Sequence, residues 1–482
     1  MARLNSAYKP SKIALNAILY FIKAVDMQQV TSLIQKYNVP GPRYTSYPTV
    51  PYWDEASFSV QAWTQTLKQS FDASNTSEGI SLYIHLPFCE SLCTFCGCHK
   101  KVTKKHELEQ PYIQAVLKEW ALYRKVLVER PVIKEIHLGG GTPTFFSPEH
   151  LTALIQGILQ DADVAPLHEF SFEGHPNNTT REHLQALYDV GFRRVSYGVQ
   201  DYNENVQKAI HRIQPFEHVE RATVWAREIG YHSISHDLVF GLPFQQLDDV
   251  LHTIEQTTRL MPDRLAFYSY AHVPWIKGNG QRGFKDADVP KDEMKRQCYE
   301  EGKKALLARG YHEIGMDHFA LSTDPMYQAF QEKALHRNFM GYTASKTQVM
   351  IGLGISSISD SWYSFAQNEK NIDAYYACLE NHQIPVVKGH VLSAEDLKIR
   401  KHILNLMCTF QTSWADQSMD FPEREKVIQQ LVEMEQDGLL QIEPEQIVIT
   451  EQGKPFVRNI CMAFDLHLKR RKPETQIFSM TI

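Results

Sequence analysis

The chain has 482 residues, of which 43% are hydrophobic and 22% are charged, and its formal net charge is -6. This length allows one large catalytic domain with smaller appendages, and the composition is ordinary for a soluble globular protein. The slightly acidic balance removes any general electrostatic argument for nucleic-acid binding.

The amino-terminal part is predicted to contain an upstream extension followed by an ordered arm. Residues 13–22 are apolar but too few to span a bilayer, which takes roughly 20 residues, and no small-residue cleavage site follows them. We therefore interpret Met27 as the functional start, treat residues 1–26 as an upstream extension, and predict a cytoplasmic location. The arm covers residues 27–79, and residues 35–53 within it are rich in Pro, Gly and Tyr, which favours ordered but non-repetitive structure.

Six short β-rich runs alternate with longer amphipathic segments through the middle of the chain. Helix-like segments at residues 110–129, 148–160 and 216–229 lie between runs that end in Gly, Pro or a polar residue. This alternation predicts parallel βαβ units, and six units favour an α/β fold with a partial (β/α)6 barrel over a closed eight-fold barrel. In such sheets the functional residues lie at the carboxyl ends of the strands. The six runs are residues 81–87, 133–139, 168–174, 194–200, 233–243 and 264–272.

The rest of the chain is predicted to extend this catalytic domain and then to form a carboxyl-terminal domain. Residues 80–375 are assigned to the catalytic domain, because residues 312–370 contain further short strand-like runs. Residues 376–482 are assigned to a mostly helical domain, in which a strand pair at residues 439–442 and 446–450 gives a winged-helix-like pattern. This pattern has no basic recognition helix of the kind that enters DNA.

Four of the eight cysteines fall within ten residues, directly after the first predicted strand: Cys89, Cys93, Cys96 and Cys98. In a reducing compartment such clustering indicates metal binding rather than disulfides. The spacing C-x3-C-x2-C allows one loop to hold three irons of a 4Fe–4S cluster and leaves the fourth iron open, whereas electron-transfer clusters usually have four protein thiolates. Zinc is the alternative, but structural zinc usually takes pairs of ligands from separate segments.

Two later strand ends carry residues that suit a bound ligand. Gly139, Gly140 and Gly141 end the second run, and glycines let a backbone approach a ligand closely, although such a run also occurs in simple tight turns. Glu173 ends the third run, where its carboxylate either accepts hydrogen bonds from a ribose or remains a solvated acid at a strand end.

The cysteine motif, with the glycine segment after the second strand, resembles that of the radical S-adenosylmethionine (SAM) superfamily. The resemblance implies that the amino and carboxylate groups of SAM chelate the open iron. It also implies that one electron from the cluster breaks the sulfonium bond, which gives methionine and a 5′-deoxyadenosyl radical.

Within this superfamily the chain resembles the oxygen-independent coproporphyrinogen III oxidases (coproporphyrinogen dehydrogenases). The motifs occur in one order from about residue 35 to the carboxyl terminus, so the resemblance covers nearly the whole chain. They are Arg43-Tyr-Thr-Ser-Tyr-Pro48, Cys96-Gly-Cys98, Gly198-Val-Gln-Asp201, Asp237-Leu-Val-Phe-Gly-Leu-Pro243, Gly315-Met-Asp-His-Phe319, His336-Arg-Asn-Phe-Met-Gly-Tyr342 and Arg458-Asn-Ile-Cys461.

The family resemblance implies two SAM molecules beside the 4Fe–4S cluster and assigns roles residue by residue. The implied cluster ligands are Cys89, Cys93 and Cys96. The implied catalytic residues are Tyr83, Cys98 and Glu173, with Cys98 outside the cluster. The residues implied to contact the first SAM are Tyr83, Gly140, Glu173 and Ile358. Those implied to contact the second SAM are Phe95, Gly141, Thr142, Gln200, Arg212, Asp237 and Ala271.

The reaction that the resemblance implies is oxidative decarboxylation. The radical removes a hydrogen from the β-carbon of a propionate, carbon dioxide and one electron leave, and a vinyl group remains. Two rounds convert coproporphyrinogen III into protoporphyrinogen IX in anaerobic haem biosynthesis. An electron donor such as flavodoxin or ferredoxin is implied, the chain is expected to be a monomer, and neither a nucleic-acid nor a membrane partner is expected.

Cations are expected to hold the carboxylates of this substrate. Arg43 is one candidate, and the lysines of residues 99–105 are others unless they form only a solvated charge run.

Three other functions remain open: a haem-binding chaperone, a radical methyltransferase that opens haem, and a zinc-stabilised structural protein. Related chaperones usually lack the fourth cysteine and the tyrosine-rich arm, and both are present here. Two positions depart from the family pattern. Gly-His175-Pro follows Glu173 where Val-Asp-Pro is usual, and Met480 follows Ser479 where an Arg is frequent.

Overall fold

The computed structural model describes residues 32–481 except residues 55, 57, 274–279 and 282, so the extension predicted at residues 1–26 lies outside the described residues. The described chain is a mixed α/β fold, which confirms the predicted class. Its strands in chain order are β1 (Ile80–Leu86), β2 (Phe88–Cys89), β3 (Lys101–Val102), β4 (Val132–Gly140), β5 (Asp163–Gly174), β6 (Arg194–Gln200), β7 (Ser233–Phe240), β8 (Arg264–Ser269), β9 (Tyr311–Gly315), β10 (His318–Leu321), β11 (His336–Asn338), β12 (Gly341–Thr343), β13 (Val349–Leu353), β14 (Ile358–Asp360), β15 (Ser364–Asn368), β16 (Val386–Val391), β17 (Gln411–Ser413), β18 (Leu440–Ile442) and β19 (Gln446–Ile449).

Helices connect these strands, and several begin at a side chain that caps the free N–H groups of the first turn. Ser147, Thr180 and Ser393 do so at the helices that begin at Pro148, Arg181 and Ala394. Within the described residues, no helix is both long enough and apolar enough to cross a bilayer. The helices are α1 (Val60–Ser74), α2 (Glu109–Val126), α3 (Pro148–Leu159), α4 (Arg181–Asp189), α5 (Glu204–Ala209), α6 (Phe216–Ile229), α7 (Leu247–Arg259), α8 (Asp292–Ala308), α9 (Pro325–Gln331), α10 (Ile372–Glu380), α11 (Ala394–Thr409), α12 (Arg424–Gln436), α13 (Val457–Phe464) and α14 (Leu466–Arg470).

One twelve-stranded sheet, of order β16-β15-β14-β13-β1-β4-β5-β6-β7-β8-β10-β9, forms the centre of the fold. The six predicted runs became β1 and β4–β8, which pair in parallel. A further parallel strand, β13, pairs with the other side of β1, and antiparallel strands extend both edges. The predicted large parallel sheet is therefore confirmed, and the antiparallel strands β9, β10 and β14–β16 extend it on both sides.

Burial on both faces explains why the parallel strands are such clear apolar runs. Six of the seven residues of β1 are buried, because helices cover both sides of a parallel sheet. Trp63 of α1 and Trp120 of α2 pack in the same hydrophobic cluster as the β1 side chains. Helices thus pack against the strands whose carboxyl ends carry the functional residues.

The carboxyl-terminal part combines α11, α12 and α13 with a three-stranded antiparallel sheet of order β17-β19-β18. The predicted strand pair became β18 and β19, whereas the sequence does not predict β17. The boundary predicted after residue 375 falls within α10, and β16 beyond it is an edge strand of the main sheet. The division into domains stays a prediction.

The amino-terminal arm packs on the carboxyl-terminal helices. Tyr44 lies in the hydrophobic cluster that those helices form. Arg458 of α13 donates a hydrogen bond to the carbonyl oxygen of Gly41, and Pro40 and Met480 form a β-bridge. The arm is therefore held by residues from the far end of the chain.

Candidate active site

Polar residues singled out from the sequence lie at the carboxyl ends of neighbouring parallel strands. Glu173 of β5 is opposite Ser196 of β6, and Gly198 of β6 is opposite Asp237 of β7. The cysteine loop leaves β1 at the same edge, because the carboxyl ends of parallel strands meet there. The register of the sheet therefore brings the cysteines and these carboxylates to one edge.

The start of the cysteine loop rests on the glycine segment that ends β4. The backbone N–H of Gly141 donates to the carbonyl oxygen of Leu86 over 2.9 Å. A β-carbon on Gly141 would lie 2.5 Å from the backbone of Pro87, so only glycine permits this approach. The next residue, Thr142, donates from its hydroxyl to the sulfur of Cys89 over 3.4 Å. The glycine segment thus positions the loop, which a simple tight turn does not explain.

The middle of the cysteine loop is anchored to the turn that follows α5. Thr94 donates from its backbone N–H to Ile210 over 3.0 Å and from its hydroxyl to Ala209 over 2.9 Å. In the same turn, Nη1 of Arg212 lies 3.8 Å from the sulfur of Cys93 and donates to it. Arg212 therefore contacts the cysteine loop directly.

Gln281, a residue that the sequence analysis missed, ties the cysteine loop to the end of β8. Its side chain is 2% exposed. Its amide nitrogen donates to the carbonyl oxygens of Phe95 and Ala271, both over 3.0 Å, and its amide oxygen accepts from Val273 over 2.7 Å. Phe95 and Ala271 are both sequence-predicted cofactor contacts, so Gln281 fixes their spacing. A lone glutamine outside any periodic segment gives no sequence signal for this role.

The four cysteines of the loop are all free thiols, as the donor set of an iron–sulfur cluster requires. Burial raises the pKa of Cys89 to about 11. A hydrogen bond from Cys98, helped by the charge of Lys100, lowers the pKa of Cys96 to about 6, and the same bond raises the pKa of Cys98. Cys89, Cys93 and Cys96 fit a cluster that is held from one loop, while Cys98 is exposed beside them.

Glu173 joins a group of polar side chains from β1 and β4. Its carboxylate accepts from the backbone N–H of Gly140 over 3.2 Å and lies 3.4 Å from Nε2 of His137. Tyr83 stacks on His137 with ring centroids 6.0 Å apart and shares a hydrogen bond with His85. Desolvation raises the pKa of Glu173, but the hydrogen bonds from His137 and Gly140 outweigh it and leave the pKa below its ordinary value. Glu173 is therefore ionised at neutral pH.

Gln200 and Arg212 form a second polar group around Gly198. The guanidinium of Arg212 donates to the carbonyl oxygen of Gly198 over 2.5 Å and to the amide oxygen of Gln214 over 3.3 Å. A β-carbon on Gly198 would lie 2.6 Å from the amide nitrogen of Gln200 and 2.9 Å from Arg212. Both side chains therefore cover this glycine and depend on its lack of a side chain.

Asp237 lies between these two groups and has an unusual pKa. Desolvation and the nearby charge of Glu173 raise the pKa of Asp237 to about 7, although Ser196 donates to it over 3.1 Å and Arg212 also lowers it. A cation that binds beside Asp237 lowers the pKa of this carboxyl group, because the cation stabilises the ionised form.

Ile358, the last of the sequence-predicted contacts, reaches the site through β13. Gly352 of β13 is opposite Tyr83, and a β-carbon on Gly352 would lie 2.5 Å from the carbonyl oxygen of Ile358. Ile358 of β14 therefore lies two strands from Tyr83, with Gly352 of β13 between them.

The cations expected to hold substrate carboxylates are either paired with an acidic side chain or exposed to solvent. Arg43 forms an ion pair with Asp317, and the charge of Asp317 raises the pKa of Arg43. Lys101, Lys104 and Lys105 are exposed. The guanidinium of Arg43 is thus already paired, and these lysines face solvent.

The two positions that depart from the family pattern, His175 and Met480, each lie near an arginine. Burial and the charge of Arg212 lower the pKa of His175 well below its ordinary value, so His175 is neutral beside Arg212. The carbonyl oxygen of Met480 accepts a hydrogen bond from Arg458 over 2.9 Å. Met480 therefore belongs to the contact between the arm and α13.

Comparison with known proteins gives one consistent result. The signature of the Radical SAM superfamily matches residues 83–257. The oxygen-independent coproporphyrinogen III oxidase of Helicobacter pylori strain J99 is 39% identical over 447 residues, which are 90% of this chain and 96% of that protein. The enzyme of the same name from Escherichia coli K12 is 37% identical over 459 residues, which are 94% of this chain and 98% of that protein.

A solved structure leads to the same family. The coproporphyrinogen III oxidase from Escherichia coli, described as a radical SAM enzyme, matches with a TM-score of 0.83 and 34% identity. The match covers 88% of this chain and 98% of that chain. This chain belongs to the family of oxygen-independent coproporphyrinogen III oxidases.

Proposed function

We propose that this chain catalyses the oxidative decarboxylation of two propionate side chains of coproporphyrinogen III to vinyl groups, with SAM as the radical source. The product is protoporphyrinogen IX, in anaerobic haem biosynthesis, and the enzyme is an oxidoreductase of the radical SAM type. The observation that carries the proposal is the meeting of the three-thiol loop with the Gly140–Glu173 hydrogen bond at one sheet edge. The relatives of this name match 90% or more of the chain.

We assign the binding of a 4Fe–4S cluster to Cys89, Cys93 and Cys96. When bound, the cluster and SAM supply the radical that removes a hydrogen from each propionate. Thr142 donates to Cys89 and Arg212 donates to Cys93, so two of the three sulfurs have hydrogen-bond donors beside them. Donors of this kind orient ligand sulfurs and tune the redox potential of a cluster.

We assign the first SAM molecule to Tyr83, Gly140, Glu173 and Ile358. Glu173 is ionised and already oriented by the N–H of Gly140, which suits a carboxylate that accepts hydrogen bonds from ribose hydroxyls. Gly140 has a φ of +117°, and a β-carbon there would lie 2.7 Å from the ring of His85. A side chain at residue 140 would therefore disturb both the strand end and the ring that bonds to Tyr83.

We infer that a second SAM molecule binds beside the first. Arg212 can form a charge-assisted pair with its methionine carboxylate, and Asp237 can pair with its cationic amino or sulfonium group. Gln281 supports this assignment, because it holds together the backbones of two predicted contacts that are far apart in sequence. The full set assigned to the second molecule is Phe95, Gly141, Thr142, Gln200, Arg212, Asp237 and Ala271.

Cys98 is assigned a catalytic role outside the cluster, together with Tyr83 and Glu173. Cys98 is an exposed residue directly beside the three assigned ligands. Because three thiolates leave one iron of the cluster open for SAM, the fourth cysteine is free to contact the substrate.

Finer features of the fold belong to the same proposal. We infer that β1 and β4–β8 with their helices form a partial (β/α)6 barrel, and that the carboxyl-terminal helices with β17–β19 form a winged-helix-like domain. The division into an arm at residues 27–79, a catalytic domain at residues 80–375 and a helical domain at residues 376–482 is retained.

The partners and location form a further part of the proposal. An electron donor such as flavodoxin or ferredoxin reduces the cluster, and the chain acts as a cytoplasmic monomer without nucleic-acid or membrane partners. The free cysteines support a reducing compartment, and the net charge of -6 disfavours nucleic acid.

An anaerobic turnover experiment tests the proposed reaction. Reconstituted protein with SAM, dithionite and coproporphyrinogen III should form protoporphyrinogen IX and two molecules of 5′-deoxyadenosine for each substrate. A chain that binds haem stoichiometrically but forms no vinyl product would instead be a haem chaperone, and the proposal would be wrong.

A further inference from the structure

An exposed group of lysines lies directly beside the cysteine loop. The segment at residues 99–105, His-Lys-Lys-Val-Thr-Lys-Lys, holds four positive charges and no carboxylate, whereas the whole chain has a net charge of -6. We call Lys100, Lys101, Lys104 and Lys105 the lysine patch. Glu90 and Glu107 are the acidic residues at its border, paired weakly with His106 and Lys105 at 3.8 and 3.9 Å.

Backbone hydrogen bonds fix the lysine patch against a cluster ligand. Strand β3, Lys101–Val102, pairs in parallel with β2, so Val102 is opposite Cys89. Lys101 donates to the carbonyl oxygen of Pro87, and Thr103 donates to that of Cys89, each over 2.8 Å. Neighbouring strands lie about 5 Å apart, so the patch begins one strand spacing from the sulfur-bearing residue.

The lysine patch faces outward. Both residues of β3 are exposed. Val102, the apolar residue at the centre of the lysine patch, is 47% exposed. A small-molecule site normally buries most of its ligand in a concave pocket, which exposed side chains on a surface strand do not provide. Lys100 differs from the others, because its ammonium group donates to the carbonyl oxygens of Cys96 and Cys98 and so supports the loop.

We propose that the lysine patch is the docking surface for an acidic protein that delivers single electrons to the cluster. The inference rests on the proposed function, since the reaction consumes one electron for each SAM that is cleaved. The carrier loses one electron and the oxidised cluster gains it. Complementary charge steers such partners together and sets their orientation, and Val102 supplies an apolar contact at the point nearest Cys89.

The test compares two double variants of the full-length reconstituted protein. Lys101→Glu with Lys104→Glu reverses two charges of the patch and leaves Lys100 in place. Lys118→Glu with Lys125→Glu is the matched control, because both of these lysines are exposed on α2 and lie about 13 and 24 Å along the helix axis from its first residue. Both variants change the net charge of the chain equally.

Three measurements decide the outcome. The probe is an acidic flavodoxin: its affinity is measured by calorimetry at low and high salt, and its rate of cluster reduction by stopped-flow spectroscopy. The third measurement is product formation with dithionite. The patch variant should bind flavodoxin roughly ten-fold more weakly at low salt, and this affinity should no longer depend on salt. Flavodoxin should reduce its cluster more slowly. Its product formation with dithionite should be unchanged. The control should bind within about two-fold of the unchanged protein.

Other results would overturn the proposal. Equal loss of flavodoxin binding in both variants would show an effect of net charge alone, and no loss in either would show that the patch is only solvated. A loss of dithionite-driven activity in the patch variant alone would assign the lysines to the substrate. If the unchanged protein formed no product with dithionite, the proposed function would fail, while flavodoxin affinity would still decide the docking surface.

Discussion

The carboxylate of Glu173 accepts a hydrogen bond of 3.2 Å from the backbone N–H of Gly140. The two residues lie at the ends of β5 and β4, which are adjacent parallel strands. The bond therefore joins two strand ends across the candidate site and orients the carboxylate before a ligand arrives. Such preorganisation lowers the cost of binding, because the side chain has little freedom left to lose.

We expect Glu173→Gln to weaken SAM binding without loss of iron. Glutamine keeps the shape and can still accept from Gly140, but it lacks the charge that strengthens hydrogen bonds to ribose hydroxyls. Charge-assisted hydrogen bonds contribute about 1.5–3 kcal/mol, so the dissociation constant should rise roughly 10- to 100-fold. Equilibrium dialysis with labelled SAM and an iron assay measure both quantities, with Glu217→Gln on the exposed face of α6 as the control. Unchanged SAM affinity would contradict the assignment.

We expect Cys93→Ala and Cys98→Ala to separate metal binding from catalysis. Cys93→Ala should lose the brown absorbance of the cluster and its iron, because only two of the three assigned ligands, Cys89 and Cys96, remain. Cys98→Ala should keep iron and absorbance but form little vinyl product. Iron content, visible absorbance and product formation are measured on both proteins after the same reconstitution. Loss of the cluster from Cys98→Ala would make Cys98 a ligand.

We expect Gln281→Leu to loosen the cysteine loop. The substitution keeps a similar volume but leaves two carbonyl oxygens and one N–H without their partner, at a cost of about 2–3 kcal/mol. The thermal midpoint should fall, and the number of SAM molecules bound per cluster should drop from two to one. The matched control is Gln185→Leu, an exposed glutamine of α4. A variant that still binds two SAM molecules would show that Gln281 has no role in positioning the second.

We expect the affinity for the second SAM to rise with pH through the neutral range. The pKa of Asp237 is about 7 without ligand, so the carboxyl is largely protonated below that pH and must release a proton before it pairs with a cation. Affinity should increase up to ten-fold per pH unit below 7 and level off above it. Calorimetry in two buffers of different ionisation enthalpy measures the proton release. Asp237→Asn should abolish this release, and a pH-independent affinity in the unchanged protein would contradict the assignment.

Strand ends were predictable from the sequence because the physical cause is local. A buried parallel strand such as β1 is apolar on both faces, and the polar residue or glycine that ends it marks the edge where ligands bind. Glu173 and the glycine segment that ends β4 are located in this way. The antiparallel strands β14 and β15 give a weaker pattern, because they have only three and five residues.

Contacts between side chains and distant backbone could not be predicted. Gln281 bonds to the carbonyl oxygen of Phe95, which lies 186 positions earlier in the chain, and any residue supplies a carbonyl oxygen. The pairing of Arg43 with Asp317 is similar, because either residue alone has the appearance of an unpaired charge. Such contacts depend on the tertiary fold and leave no spacing in the sequence.

The contact between the arm and Arg458 has a consequence for the order of synthesis. Arg458 donates to the carbonyl oxygen of Pro42, and 416 positions separate the two residues. A ribosome makes the arm first and Arg458 much later, so this contact cannot form in a growing chain until Arg458 has emerged. The parallel sheet and its cysteine loop are complete well before that point. The contact between the arm and α13 can therefore form only after every residue of the catalytic edge has been synthesised.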